Sequence, residues 1–168
     1  FPLSAPVRPI GWGRVTISAI YLYRDPDYSA EREALRYRDQ LLAIFEEVIS
    51  PNGPDYNPLW YRVSGGYIHS SRIQRVEPRP ENEVVQNIPL DGILAEVTVP
   101  YSRSYRLTRT YGWVPVYRLY YGSTHWVMGV DEGPDQAPWY RLLDHLLNVE
   151  YHVPAHHLAA MAVAGVLA

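Results

Sequence analysis

Four histidines crowd the C-terminal end of this 168-residue chain: His145, His152, His156 and His157. His152 and His156 stand four apart with Glu150 nearby, a spacing that on a helix would aim two imidazoles at one metal ion. The intervening Val153-Pro154 argues instead for a strand running into a turn, which leaves these side chains as histidines in a polar turn. His69 and His125 are isolated. No cysteine is present, which removes disulfides, thiol nucleophiles and thiolate metal sites from the chain. No pair of carboxylates has a spacing that marks general acid–base work. Ser64-Gly65-Gly66 reads as a turn rather than a nucleophile elbow, and neither a phosphate loop nor a dinucleotide fingerprint occurs. The residues therefore imply no metal and no cofactor. What remains is recognition by surface. The chain holds 15 Tyr and 5 Trp against 2 Phe, and rings with a polar tip suit thin β-cores and wet contact surfaces.

The elements that must position these rings are announced by a repeat. Gly53-Pro54-Asp55-Tyr56-Asn57-Pro58-Leu59-Trp60-Tyr61-Arg62 is answered by Gly133-Pro134-Asp135-Gln136-Ala137-Pro138-Trp139-Tyr140-Arg141. Upstream, Arg14-Val15-Thr16 answers Glu96-Val97-Thr98, and Ile20 to Arg24 answers Ser102 to Arg106. Downstream, Tyr67 to Ile73 answers His152 to Leu158. The offsets are 80 residues at the Gly-Pro-Asp turn, 79 at the Trp and 85 at the last apolar position, so length changes fall where loops belong. The repeat also decides an ambiguous stretch. Ala30 to Ile49 has helix-forming composition, but its counterpart, Tyr111 to Val130, is rich in β-branched and aromatic residues with Pro and Gly. Leu41 to Val48 is therefore expected as a strand, with a helical turn left open near Ala30 to Leu35.

Net charge is −3, every one of the 15 basic residues is Arg, and no basic run occurs. Nucleic acid is disfavoured as a partner, since a phosphate-tracking groove needs clustered cations. The apolar end, Leu158 to Ala168, is too short to span a bilayer, so no transmembrane segment is expected. A start at Phe1 without Met suggests a mature or truncated product, and with it a removed export signal. Pro- and Glu-rich Glu77 to Gly92 reads as a stiff linker. The expected organisation is a first module over residues 11–77, a linker over 78–92, a second module over 93–158 and an apolar tail over 159–168.

In each half the succession of Val-Thr, an arginine-rich loop, an apolar strand, Trp60-Tyr61-Arg62-Val63 and Gly66-Tyr67-Ile68-His69-Ser70 resembles bacterial SH3 domains. Trp139-Tyr140-Arg141-Leu142 fits the pattern equally well; Tyr151-His152-Val153-Pro154 departs from it by lacking the Gly. The run of Val97 to Tyr101, Thr110 to Trp113, Tyr117 to Gly122 and Glu150 to Leu158 is similar to the N-terminal region of secreted L,D-transpeptidase-like proteins of filamentous green bacteria. The resemblance implies an all-β protein of two tandem SH3-like small barrels, extracytoplasmic, at the cell envelope. It implies a groove between the long loops of each barrel, lined by Tyr21, Tyr23, Arg24 and Tyr67 in the first copy and by Tyr105, Trp113 and Tyr151 in the second. Trp60 and Trp139 are either part of that lining or core anchors with locally bonded indole N–H groups. Arg62, Arg106 and Arg141 are further candidates for carboxylate pairing. The family's catalytic Ser-x-Gly-Cys motif has no counterpart here, so no catalytic residue carries over and an enzyme is not expected from this chain. The expectation is a non-catalytic module that recognises cell-wall peptide or glycan. A structural subunit packing against other envelope proteins is the alternative, and the front of an enzyme whose catalytic domain lies beyond residue 168 is a third.

Overall fold

The computed structural model describes residues 7–161. The chain divides into two compact units, Phe1–Glu77 and Pro78–Ala168, and each is an antiparallel sheet of seven strands.

In the first unit the strands are β1 (Gly11–Val15), β2 (Ala19–Tyr23), β3 (Arg32–Tyr37), β4 (Leu41–Ile49), β5 (Leu59–Val63), β6 (Gly66–His69) and β7 (Ile73–Val76), with a 3-10 turn at Ser70–Arg72 before the last. Their order across the sheet is β3-β2-β6-β5-β4-β1-β7. Hydrogen bonding ends at β3 and β7, so the sheet is open. The stretch with helix-forming composition is two strands: β4 spans the expected one, and β3 occupies the place where a helical turn had been left open. Burial overrides helix propensity here, because Ile44 packs fully into the core. That core is Val15, Leu22, Ile44, Tyr61, Val63, Ile68 and Ile73. Strand alternation puts Tyr61 and Val63 into it and turns Trp60 and Arg62 to the opposite face. The short β5–β6 turn needs its glycines. Gly65 has φ +97° and Gly66 φ +148°, and a Cβ on Gly66 would stand 2.5 Å from the carbonyl oxygen of Tyr23. Only a bare backbone lets β2 approach β6 there.

The second unit repeats this plan. Its strands are β8 (Ile93–Val97), β9 (Tyr101–Thr108), β10 (Gly112–Tyr120), β11 (Thr124–Glu132), β12 (Pro138–Asp144), β13 (Val149–Pro154) and β14 (Leu158–Ala160), with a 3-10 turn at Ala155–His157. The order is β10-β9-β13-β12-β11-β8-β14, the same succession shifted by seven strands. Even the irregularity is shared: the ladder slips by one residue between Ile44 and Glu46 in β4 and between Val127 and Gly129 in β11, a bulge that bends each long strand. The core gathers Ala95, Val97, Val127, Tyr140, Leu142, Val153 and Leu158.

The segment 78–92, expected as a linker, forms no strand, yet it is seated on the second unit. Val84 and Ile88 pack against that unit's core. The Asn82 amide donates to Thr98 Oγ1 at 2.7 Å and to the His156 carbonyl at 2.8 Å, and the Val85 N–H donates to the Tyr140 hydroxyl at 2.9 Å. Of the expected tail, Ala159 and Ala160 belong to β14, and 162–168 lie outside the described residues. Among the described residues no helix is long and apolar enough to cross a membrane.

Candidate functional site

On the face of the first unit opposite the core, the Trp60 ring is wholly buried and its indole N–H donates to the Gly53 carbonyl at 2.9 Å. Three rings enclose it edge-on: Tyr23 at 6.0 Å between centroids, Tyr28 at 4.8 Å and His69 at 5.2 Å. Such crossed geometries set ring edges against ring faces. His69 is fixed at both nitrogens. Its Nε2 lies 2.7 Å from the Asn57 carbonyl, and its Nδ1 lies 2.6 Å from Ser71 Oγ and accepts the Ser71 N–H. A carbonyl only accepts, so Nε2 carries the hydrogen. Over this floor stand two open tyrosines, Tyr28 at 45 % exposure and Tyr56 at 82 %, the latter 6.4 Å from the His69 ring. The loop that presents Tyr28 is braced by Asp27, which accepts from the Ser29 N–H and hydroxyl at 2.8 Å, and by Ser50 Oγ donating to the Pro26 carbonyl. Partial burial first, and the neighbouring Tyr56 second, raise the Tyr28 phenol above its ordinary value, against the opposing charge of Arg72.

The residues expected to line a groove are divided by this arrangement. Tyr23 is part of it, although 9 % exposed and beneath Tyr28. Tyr67 is half-buried on β6, opposite Arg62 and Tyr23 in register. Tyr21 is exposed on β2 with the Arg32 guanidinium 4.3 Å above its ring. Arg24 is committed to Glu31 at 3.0 Å and Glu33 at 2.6 Å. Tyr28, Tyr56 and Arg72 were not anticipated. A signal existed for the tyrosines: each closes a Pro-Asp-Tyr triplet, Pro26-Asp27-Tyr28 and Pro54-Asp55-Tyr56. An aromatic ring placed by a turn is held out from the sheet.

The corresponding face of the second unit is built differently. The Trp139 indole donates to Asp135 Oδ1 at 2.7 Å rather than to a backbone carbonyl, and the same oxygen accepts the Ala137 N–H at 3.1 Å. The Ala137 bond first, then the Trp139 bond, holds the Asp135 carboxyl below its ordinary range. A Cβ on Gly133 would collide with the Trp139 ring, which explains the glycine of this turn. Tyr105 at 5.7 Å and Trp113 at 6.3 Å cover Trp139, and Trp113 also meets His152 at 5.1 Å. Two expected groove residues are thus brought together. Tyr151 is not among them: it is 6 % exposed, packs against Tyr117 in the core and leaves His152 on the groove face, as strand alternation requires.

No protein-family model matches this chain, and no curated protein matches it. The reading of the site therefore rests on its geometry.

A polar array lies beside the second aromatic group. His152 Nε2 is 2.8 Å from Asp131 Oδ2, and Arg141 Nη1 reaches both Asp131 oxygens at 3.1 and 3.3 Å. His152 Nδ1 is buried without a hydrogen-bond partner. His157 Nδ1 lies 2.7 Å from the hydroxyl of Ser102, itself 2 % exposed; a hydroxyl so enclosed is a buttress rather than a nucleophile. Among the described residues no three His, Asp or Glu side chains are grouped so as to hold a metal.

Proposed function

We propose that each unit is an SH3-like small barrel and that the chain is a non-catalytic, extracytoplasmic recognition module for cell-wall peptide or glycan. Several features support the barrel reading. Each unit has the same strand order, a long hairpin folded back beside the strand that follows the Trp-Tyr-Arg strand, and a 3-10 turn before the closing strand. The module would stand before a transpeptidase catalytic domain, as the resemblance in its sequence implies.

One observation carries the binding reading: the open Tyr28 and Tyr56 rings over the Trp60–His69 floor, with exposed Arg72 near enough for its charge to act on the Tyr28 phenol. Exposed ring faces stack on sugars and on extended peptide. A guanidinium beside them pairs with carboxylates, which the stem peptides of peptidoglycan carry. The floor beneath them, Trp60 and His69, is fixed by hydrogen bonds and needs no ordering on binding.

Co-sedimentation with purified peptidoglycan tests this. The protein should pellet at low salt, and Tyr28→Ala with Tyr56→Ala should reduce the bound fraction about tenfold; Tyr28 also covers Trp60, so Tyr56→Ala alone, at a ring 82 % exposed, should lower it several-fold in a protein whose urea midpoint is unchanged. Absence of pelleting, or equal pelleting by the double variant, would remove the proposal.

A further inference from the structure

The second unit carries a cleft of about 450 Å³ lined by Arg106, Leu107, Asp131, Arg141, Asn148, Glu150 and His152. That volume lies within the roughly 300–1,000 Å³ typical of small-molecule sites. The lining here is mostly charged, so an apolar ligand is a poor match. The charged groups fall into two sets. One set is locked together: His152 bonds to Asp131, which holds Arg141 through both oxygens. A guanidinium anchored by one nitrogen on a fixed carboxylate keeps its orientation and has donors left over. The other set is uncommitted. The side chains of Arg106, Glu150 and Asn148 have no hydrogen-bond or ion-pair partner among the described residues.

Comparison of the two units shows that this is particular to the second. By register, Asp131 stands opposite Trp139 where Val48 stands opposite Trp60, and His152 stands opposite Arg141 where Tyr67 stands opposite Arg62. The first unit thus lacks the acid–imidazole floor. Arg106 follows Tyr105 as Arg24 follows Tyr23, yet Arg24 is neutralised by Glu31 and Glu33 whereas Arg106 is not. In the second unit the equivalent arginine has no such ion pair, and it lines a cleft together with Glu150, whose carboxylate likewise has no ion-pair partner among the described residues.

We propose that this cleft binds a small zwitterion, the ammonium and carboxylate ends of an amino acid or short peptide. The carboxylate pairs with Arg106 and the remaining donors of Arg141, and the ammonium pairs with Glu150. Charge-assisted bonds of this kind are the strong ones, and a ligand bearing both signs leaves neither end unpaired. The site lies wholly in the second unit and goes beyond the aromatic platform of the first, so either can fail alone.

The test is a 1H–15N NMR titration of the full chain with glycylglycine, glycylglycine amide and N-acetylglycylglycine. Glycylglycine should give saturable shifts at the amides of Leu107, Glu150 and His152. The amide form, which lacks the carboxylate, should bind about tenfold more weakly, and Arg106→Gln should weaken glycylglycine to the same degree. Glu150→Gln should weaken glycylglycine several-fold but leave N-acetylglycylglycine unaffected, because that probe has no ammonium. Arg106 and Glu150 are both exposed, so the variants keep the fold, and an unchanged amide spectrum outside the cleft checks this. No saturable shift at tens of millimolar glycylglycine would overturn the proposal. So would equal affinity for all three probes, or an Arg106→Gln variant that binds as the parent does.

Discussion

The histidine that ends the second 3-10 turn makes part of the second unit's stability depend on pH. Burial first, and the charge of His156 second, lower His157 from 6.5 to about 4; the two rings lie 4.3 Å apart. Its Nδ1 is engaged with the buried Ser102 hydroxyl at 2.7 Å. Between these two values the unfolded chain binds a proton that the folded unit refuses, so stability rises with pH across that window. The contribution is complete above 6.5 and is lost as pH falls through about 4. A change of this size corresponds to ~3 kcal/mol at about 1.36 kcal/mol per pH unit. The ring is only half-buried, and discounting for solvent screening leaves about 1–2 kcal/mol. His157→Gln retains a group able to bond Ser102 and cannot titrate. Amide hydrogen exchange at Leu142 and Val153, measured from pH 7 to pH 4, should show the parent losing about 1–2 kcal/mol more protection than the variant. Parallel curves for the two proteins would refute the argument, since they would mean that the cost of charging His157 is the same in the folded and unfolded chains.

Trp60→Ala should cost about 3–5 kcal/mol in urea unfolding of the first unit, because a fully buried ring and a bonded indole N–H are both lost; a loss under about 1 kcal/mol would show that the ring is not an anchor. Asn82→Ala removes the two side-chain bonds from segment 78–92 to Thr98 and His156, leaving the Asn82 N–H on the His156 carbonyl and Arg79 bonded to Thr98. It should cost about 1–2 kcal/mol and speed hydrogen exchange at Val85, whose N–H rests on the Tyr140 hydroxyl. Unchanged exchange at Val85 would show that Val84 and Ile88 hold the segment without Asn82.

The strands were legible where the repeat constrained them. Leu41–Ile49 taken alone has helical composition, and only its β-rich duplicate showed that the same position must be a strand. The alternation Trp60, Tyr61, Arg62, Val63 gives two faces directly, so the placement of Tyr61 and Val63 in the core follows from the sequence. Which rings meet across the sheet does not. Tyr151 and His152 are neighbours in sequence, and the choice between them is made by the register of β13, which sets Tyr151 against Leu142 and His152 against Arg141 on β12 and against Tyr105, 47 residues away, on β9. A slip of one residue would reverse it. Segment 78–92 was read from its Pro and Glu content, but Val84 and Ile88, two apolar residues in a polar stretch, were the trace of its docking. Asn82 left no such trace, because its two side-chain bonds depend on where Thr98 and His156 are brought.

The two units show how duplication separates what a fold requires from what a site requires. On the core face the pairs correspond closely: Tyr61 with Tyr140, Val63 with Leu142, Ile68 with Val153, all buried at matching register positions. Any of these changed in volume alone would leave a cavity or a clash, so the face is held by packing. The opposite face keeps its central indole and the tyrosine beside it, Tyr23 in one unit and Tyr105 in the other, but the indole N–H finds a carbonyl in one and a carboxylate in the other. Around it, one unit presents two open tyrosines and a paired arginine. The other covers its indole with Tyr105 and Trp113 and builds an acid–imidazole–guanidinium array beside an unpaired arginine. The core face is thus held alike in both units while the opposite face differs in the residues around its indole, which is the division the proposed binding surfaces require: a shared framework carrying separate sites.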